Sequence, residues 1–143
     1  MEEIKVLFVC IHNSARSQMA EAFLNRLGEG RFKAQSAGLE AGKLNPYVVK
    51  VMAEEGYDLS GNEAKAVFQF IKSGELFSYV ITVCDESSSE RCPVFPGLVK
   101  RLHWNFPDPS SYQGNEEEIL EFTRKVRDSI KAKIQDWIKE LAE

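Results

Sequence analysis

Hydrophobic positions along the chain follow two spacings, and each spacing predicts a different kind of element. The short apolar, β-branched run at residues 4–9 is typical of a buried parallel strand. After a polar turn, apolar residues recur at helical spacing on one face: Ala15, Met19, Ala22, Phe23 and Leu27. Gly28 and Gly30 end this first helix. Residues 32–37 then predict a second strand, which Gly38 closes.

The middle of the chain carries the signals of two further helices. Asn45 followed by Pro46 is typical of a helix start, because asparagine caps the first N–H groups and proline fits the first turn. An apolar face follows this start, and Gly56 ends the helix. Residues 64–71 predict a shorter helix that Gly74 ends.

The last third of the chain predicts two strands, a loop and a long helix. Residues 79–83 are rich in side chains that fit a pleated surface, and residues 99–104 predict a weaker strand. Residues 105–115 hold three turn formers and predict a loop. Asn115 with Glu118 three positions later indicates a helix start. The apolar stripe of the terminal helix consists of Ile119, Phe122, Val126, Ile130, Ile134, Trp137 and Leu141.

Strands that alternate with helices predict an α/β fold. We expect a three-layer architecture, with a four-stranded parallel sheet and helices on both faces. No internal repeat or linker divides the chain, so residues 1–143 are expected to form a single domain. Ligands of such sheets bind beyond the carboxyl ends of the strands. Cys10 follows the first predicted strand and Cys84 follows the third, so both are expected at that edge.

Composition narrows the classes of function. The formal net charge of −4 argues against nucleic acid or an anionic membrane as the main partner. No apolar stretch is long enough to span a bilayer, and no signal peptide follows the first methionine, so we expect a cytoplasmic protein and, by default, a monomer. Three cysteines are an odd count that does not suit a disulfide framework in a reducing compartment.

The segment between the first strand and the first helix has the features of an oxyanion site. A tight loop before a helix directs backbone N–H groups inward, and the helix dipole adds positive potential. Arg16 can grip two oxygens of a tetrahedral oxyanion, and the hydroxyl of Ser17 can donate to a Cys10 thiolate. We therefore predict Cys10 as the nucleophile. The predicted oxyanion-binding residues are Ile11, His12, Asn13, Ser14, Ala15, Arg16 and Ser17.

These motifs carry a resemblance to a known family. After the first strand, Cys10 is followed by five residues and then by Arg16-Ser17. This spacing resembles the low-molecular-weight protein tyrosine phosphatases. The longer run at residues 13–21 is more similar to the thioredoxin-coupled arsenate reductases, which share that fold. Further matches cover essentially the whole chain: Ser36-Ala37-Gly38, Asn45-Pro46, Val83-Cys84-Asp85, Cys92-Pro93 and residues 104–109.

The resemblance implies a redox relay that ends with thioredoxin. Cys10 would attack arsenate, Cys84 would attack Cys10 and expel arsenite, and Cys92 would attack Cys84. Asp108, in an Asp-Pro pair, would be the general acid that protonates the leaving oxygen. Phosphatases of this fold usually carry aromatic residues after that pair, whereas residues 110–111 are serines here, which favours a small inorganic substrate.

Metal binding is not expected, and neither is a cofactor. A zinc site built from Cys84, Cys92 and His103 would lack a paired Cys-x-x-Cys motif and a fourth ligand. Some arsenate reductases of this type hold a monovalent cation at residues that match Asn13, Glu21 and Ser36. The position that would complete that cation site is Lys65, which cannot be a ligand, so strong potassium dependence is not expected.

Two other functions remain open at the level of sequence. The first is a low-molecular-weight protein tyrosine phosphatase that hydrolyses phosphate esters through a Cys10 phosphoenzyme. The second is a phosphocarrier that passes phosphate on from a cysteine, although a carrier has no need of Asp108 as an acid. The electron donor also stays open among thioredoxin, glutaredoxin-type proteins and mycothiol.

Overall fold

A computed structural model describes residues 3–11, 15–39, 42–83 and 99–142. The elements in these ranges alternate as the sequence predicts. The strands are β1 (Ile4–Cys10), β2 (Phe32–Gly38), β3 (Tyr79–Thr82) and β4 (Lys100–His103). The helices are α1 (Arg16–Leu27), α2 (Pro46–Glu54), α3 (Val67–Ser73) and α4 (Glu116–Ala142), with a short 3₁₀ turn at Pro109–Ser111 before the last.

The four strands form one parallel sheet with the order β2-β1-β3-β4. Each pairing runs in register, with Cys10 opposite Gly38 in β2 and Phe8 opposite Ile81 in β3. Parallel neighbours require crossover connections, which places the carboxyl ends of all strands at one edge. Cys10 is therefore at the edge where ligands bind in this class of fold.

Two hydrophobic clusters cover the two faces of the sheet. Alternate residues of β1 divide between them, because successive side chains of a strand point to opposite faces. The larger cluster joins Val6 and Phe8 to α1, α2 and α4, and the smaller one joins Leu7 and Val9 to α3. The predicted three-layer α/β fold with helices on both faces is confirmed.

Two of the predicted helix starts are confirmed in atomic detail. The Asn45 side chain accepts a hydrogen bond from Tyr47 N at 2.8 Å, with Pro46 in the first turn of α2. At the start of α4, Glu118 N donates to Asn115 Oδ1 at 2.8 Å and Asn115 N donates back to the Glu118 carboxylate at 3.2 Å. These reciprocal bonds form a capping box.

Two local predictions were wrong. The short helix begins at Val67 rather than at residue 64, because Gly38 N donates to Lys65 O at 2.8 Å and Ala66 forms a parallel bridge with Gly38. This pairing keeps residues 65–66 extended. The second correction is the 3₁₀ turn at Pro109–Ser111, inside the segment predicted as a loop. In the described part of the chain, no helix combines the length and apolar character that a bilayer crossing requires.

Candidate functional site

Cys10 is the last residue of β1 and is 3% exposed. Its neighbours hold the backbone on both sides, since Leu39 N donates to Cys10 O at 3.0 Å and Val83 N donates to Val9 O at 2.9 Å. The sulfur therefore projects from a strand that is fixed at both flanks. Ile11 follows it and is half-buried.

Helix α1 brings two polar side chains against this strand end. The Ser17 Oγ lies 2.9 Å from Cys10 Sγ, and Ser17 is fully buried. Arg16, at 2% exposure, is buried beside it, and Ala15 occupies the capping position with 1% exposure. A hydroxyl at this distance can donate to a thiolate, and the first turn of a helix adds positive potential. The predicted contact between Ser17 and the sulfur is present.

Arg16 connects the start of α1 to the segment after β4. Its Nη1 donates to Phe106 O at 3.0 Å, and its Nη2 lies 3.7 Å from Asp108 Oδ2. The Asp108 side chain is 20% exposed, whereas that of Arg16 is 3% exposed. Arg16 thus links the predicted acid, which is distant in sequence, to the first turn of α1, whose Ser17 contacts the predicted nucleophile.

Five of the predicted site residues lie outside the described residues. They are His12, Asn13, Ser14, Cys84 and Cys92. The roles assigned to these five from the sequence therefore stay predictions.

Glu21 and Ser36, which match two residues of a monovalent-cation site, lie next to the side chain of Lys65. Ser36 Oγ donates to Glu21 Oε1 at 2.8 Å, and Lys65 Nζ lies 3.7 Å from the same oxygen. An ammonium beside the carboxylate already supplies positive charge there. A bound potassium ion does not fit this arrangement of the described residues.

His103 bridges neighbouring segments at the carboxyl edge of the sheet. Its Nδ1 lies 2.6 Å from Thr82 Oγ1, and its Nε2 lies 2.7 Å from Asn105 Oδ1. Both ring nitrogens are engaged, as expected of a strand residue with a structural role rather than a base. Among the residues with described positions, no group of three or more His, Cys, Asp or Glu is arranged to hold a metal ion.

One contact of the site was not found from the sequence. Asn45 Nδ2 donates to Ser110 Oγ at 2.9 Å, which joins the start of α2 to the turn that follows Asp108. The sequence identified Asn45 as a helix cap and Ser110 as a departure from the phosphatase pattern. A helix cap uses only the side-chain oxygen of asparagine. The unused N–H groups of the Asn45 side chain were therefore the one sign in the sequence that it could bond to a second partner.

Several known proteins similar to this chain are arsenate reductases. The chain is 39% identical over 137 residues to the arsenate reductase of Bacillus subtilis (strain 168), with 96% of each chain covered. An arsenate reductase solved in the phosphate binding state matches with a TM-score of 0.77 and 31% identity, covering 96% of this chain and 98% of that one. A thioredoxin-dependent arsenate reductase from Corynebacterium glutamicum matches with a TM-score of 0.66 and 28% identity, covering 99% of this chain and 64% of that one.

The family itself follows from a match along almost the whole chain. Residues 5–143 match the family described as low molecular weight phosphotyrosine protein phosphatase. The matched region includes the Cys10 strand end, the start of α1 and the Asp108 turn, which form the site described above. The chain therefore belongs to the low molecular weight phosphotyrosine protein phosphatase family, and within it resembles the arsenate reductases.

Proposed function

We propose that this protein reduces arsenate to arsenite with Cys10 as the nucleophile and Cys84 and Cys92 as the thiols of a relay. The observation that carries the proposal is the buried contact of Cys10 Sγ with Ser17 Oγ at 2.9 Å, in the helix turn that also carries the buried Arg16. The Ser17 hydroxyl is in place to donate to an attacking thiolate, and the guanidinium of Arg16 suits a tetrahedral oxyanion. The arsenate reductase named above, at 39% identity, supports arsenate as the substrate.

The first step forms a covalent adduct between Cys10 and arsenate. The thiolate attacks arsenic, so that an S–As bond forms and an As–O bond breaks. Asp108, whose Oδ2 lies 3.7 Å from Arg16 Nη2, donates a proton to the departing oxygen, which leaves as water. Arg16 and the backbone of residues 11–17 hold the remaining oxygens of arsenate.

The second step carries the reduction. The Cys84 thiolate attacks the Cys10 sulfur, an S–S bond forms and the S–As bond breaks. The electron pair of the broken bond stays on arsenic, which changes from As(V) to As(III) and leaves as arsenite. Support for this step comes from the register of the sheet, since Val83, just before Cys84, is hydrogen-bonded to Val9, just before Cys10.

The third step returns Cys10 to its thiolate form. Cys92 attacks Cys84, which transfers the disulfide to the Cys84–Cys92 pair and releases Cys10. A thioredoxin dithiol then reduces this disulfide by exchange. The thioredoxin-dependent neighbour from Corynebacterium glutamicum supports this donor. The cycle needs reduced thiols at rest, which suits a cytoplasmic protein.

A small inorganic substrate fits the surroundings of Asp108 better than a phosphotyrosine side chain. Ser110 and Ser111 follow the Asp-Pro pair and are exposed. The first aromatic residue after them, Tyr112, is stacked on Phe122 of α4 with ring centroids 4.3 Å apart and an interplanar angle of 3°. One face of that ring is covered by α4, which leaves less of it available to a substrate ring.

Single-turnover chemistry tests the proposal without any external donor. Reduced wild-type protein mixed with arsenate should release one arsenite per chain and retain a Cys84–Cys92 disulfide, detected by mass mapping. Cys84→Ser should release none, whereas Cys92→Ser should release one arsenite and retain a Cys10–Cys84 disulfide. Cys10→Ser should be inactive.

The same variants separate reduction from ester hydrolysis. A phosphatase would hydrolyse p-nitrophenyl phosphate at the wild-type rate in Cys84→Ser and Cys92→Ser, and wild type would release no arsenite from arsenate. That pair of results would overturn the proposal in favour of the phosphatase. Repeated turnover with thioredoxin, thioredoxin reductase and NADPH, compared with glutaredoxin plus glutathione and with mycothiol, identifies the donor.

A further inference from the structure

The carboxylate of Asp108 is held by the turn that follows it. Asp108 Oδ1 accepts a hydrogen bond from Ser110 N at 2.9 Å, and Ser111 Oγ donates to the Asp108 carbonyl oxygen at 3.0 Å. The bond to Ser110 N fixes the rotation of the carboxylate, since it engages one of the two oxygens. The second oxygen, Oδ2, is the one that faces Arg16 at 3.7 Å.

Asn45 ties this turn to the start of α2. Its Oδ1 accepts the hydrogen bond from Tyr47 N at 2.8 Å, and its Nδ2 donates to Ser110 Oγ at 2.9 Å. Both ends of one planar amide are therefore in use. Movement of Ser110 away from α2 would break the second bond and release the residue whose N–H holds Asp108.

The helix end of this link is rigid, and the turn end is exposed. In α2, Val48, Val51 and Met52 are fully buried, and Arg127 of α4 donates to Val51 O at 2.9 Å. Ser110 is exposed. A cleft of about 310 Å³ separates the two segments, and Asn45 and Ser110 both line it. The hydrogen bond between them thus connects the start of a well-packed helix to an exposed residue of the turn across the cleft.

We infer that Asn45 is a positioning residue for Asp108, acting through Ser110. The inference rests on the proposed function, in which Asp108 is the general acid. The hydrogen bonds described for the Asn45 side chain go to Tyr47 N and Ser110 Oγ, so its effect is expected on proton donation to the leaving oxygen rather than on oxyanion binding. Efficient proton transfer requires an acid within hydrogen-bond reach of the leaving atom, and small displacements lower the rate.

Asn45→Ser isolates the bond to Ser110. Serine caps a helix as well as asparagine does, but its side chain is too short to reach Ser110. In single turnover with saturating arsenate, arsenite release should slow about tenfold, part of the contribution of a general acid. The inhibition constant for inorganic phosphate should stay within about twofold of wild type, because Cys10, Ser17 and Arg16 are untouched.

Double variants separate positioning from general destabilisation. Ser110→Ala should slow the reaction as much as Asn45→Ser, and the two together should slow it no further. In an Asp108→Asn background, Asn45→Ser should have no additional effect. Lys50→Ala is the matched control, because it removes a different α2 contact, the 3.1 Å pair of Lys50 with Glu116, which does not reach Asp108. Its rate should equal that of wild type.

Three results would overturn the inference: a full additional loss from Asn45→Ser in the Asp108→Asn background, equal slowing by Lys50→Ala, or weakened phosphate binding. If wild type releases no arsenite, the proposed function fails, but the role of Asn45 can still be tested. The variants are then compared on phenyl phosphate and p-nitrophenyl phosphate. Loss of acid positioning should slow phenyl phosphate more, because its leaving group is the poorer one, and equal slowing of the two esters would overturn the role of Asn45.

Discussion

Cys10 Sγ and Ser17 Oγ lie 2.9 Å apart, and both residues are shut off from solvent. A hydrogen bond to a charged group in such surroundings contributes about 1.5–3 kcal/mol. When Cys10 is ionised, Ser17 has to be the donor, since a thiolate carries no proton. The hydroxyl is therefore in place to donate a hydrogen bond to the attacking form of the nucleophile.

Ser17→Ala should slow the attack of Cys10 on small electrophiles and on arsenate. We expect a decrease of about tenfold or more at pH 7, following the strength of a charge-assisted hydrogen bond. The rate of iodoacetamide labelling, quantified on the Cys10 peptide by mass spectrometry, measures the reactivity of Cys10. Ser129→Ala is the matched control, because Ser129 is also a helical serine whose hydroxyl donates to a carbonyl, that of Lys125 at 2.9 Å. Labelling at the wild-type rate in Ser17→Ala would contradict the role of the hydroxyl.

Residue contacts were predictable where they are local in the chain. The Cys10 and Ser17 contact spans seven residues and follows from a strand, a turn and a helix start. The bond from Arg16 to Phe106 spans 90 residues and that from Asn45 to Ser110 spans 65, so both depend on packing that a pattern does not contain. For Asp108, the family resemblance and the place of its loop after the fourth strand supplied the expectation.

At the scale of elements, caps and breakers predicted most ends correctly. Gly74 ends α3 in the left-handed conformation, with φ of 72°, which glycine adopts without strain. The start of α3 was wrong by three residues because Lys65 and Ala66 pair with Gly38 of β2. Helix propensity is a weak preference, and a tertiary hydrogen bond of the backbone outweighed it.

Helix α2 is fastened to α4 by a cluster of charges around Glu54. Its carboxylate accepts hydrogen bonds from Arg124 at 2.8 Å and from Arg127 at 2.8 Å. The hydrogen bond from Arg124 is the main cause that holds the pKa of Glu54 below its ordinary value of 4.5, with Arg127 adding to it and burial opposing it. This cluster supports the helix that carries Asn45.

Glu54→Gln should destabilise the protein at neutral pH by about 1 kcal/mol or less, since solvent screens a carboxylate that is 40% exposed. A lowered pKa in the folded state stabilises the fold above the unfolded value of 4.5, and this contribution is lost as the pH falls through the folded pKa. The difference between wild type and variant, measured by urea unfolding, should therefore shrink below pH 4.5.

Glu55→Gln is the matched control for this charge cluster. Glu55 is the neighbouring carboxylate and reaches one α4 cation, Lys131, at 3.0 Å. Its replacement should cost less than that of Glu54 at neutral pH. A Glu54→Gln loss that keeps the same size at every pH would contradict the electrostatic origin.

At the scale of the whole molecule, the alternation of strands and helices was sufficient to predict the layers. Residues 6–10 of β1 are buried on both faces, which a short apolar run indicates. Because parallel strands place their carboxyl ends together, the same pattern also predicted the edge that holds Cys10. The order β2-β1-β3-β4 was not predicted, since strand order depends on which neighbours pair in space.

An oxyanion that binds only the folded state should stabilise the whole molecule. Inorganic phosphate at a hundred times its dissociation constant should raise the free energy of unfolding by about 2.7 kcal/mol. Arg16→Lys should lose most of this gain, because lysine cannot form the two-pronged contact of arginine with an oxyanion. Arg26→Lys, outside the site and stacked on Tyr57, is the control and should keep the full gain. Thermal unfolding with and without phosphate measures each effect, and an unchanged response in Arg16→Lys would contradict the site.

Strand β1 is an interior strand, paired with β2 on one side and with β3 on the other. Peeling it from the sheet would break two ladders and open both cores, so exchange of its amide hydrogens with solvent should require unfolding of the entire domain. The Cys10 sulfur is consequently attached to a strand that is hydrogen-bonded on both sides. Any oxyanion or thiol that reacts with Cys10 therefore has to approach a sulfur whose strand stays in place.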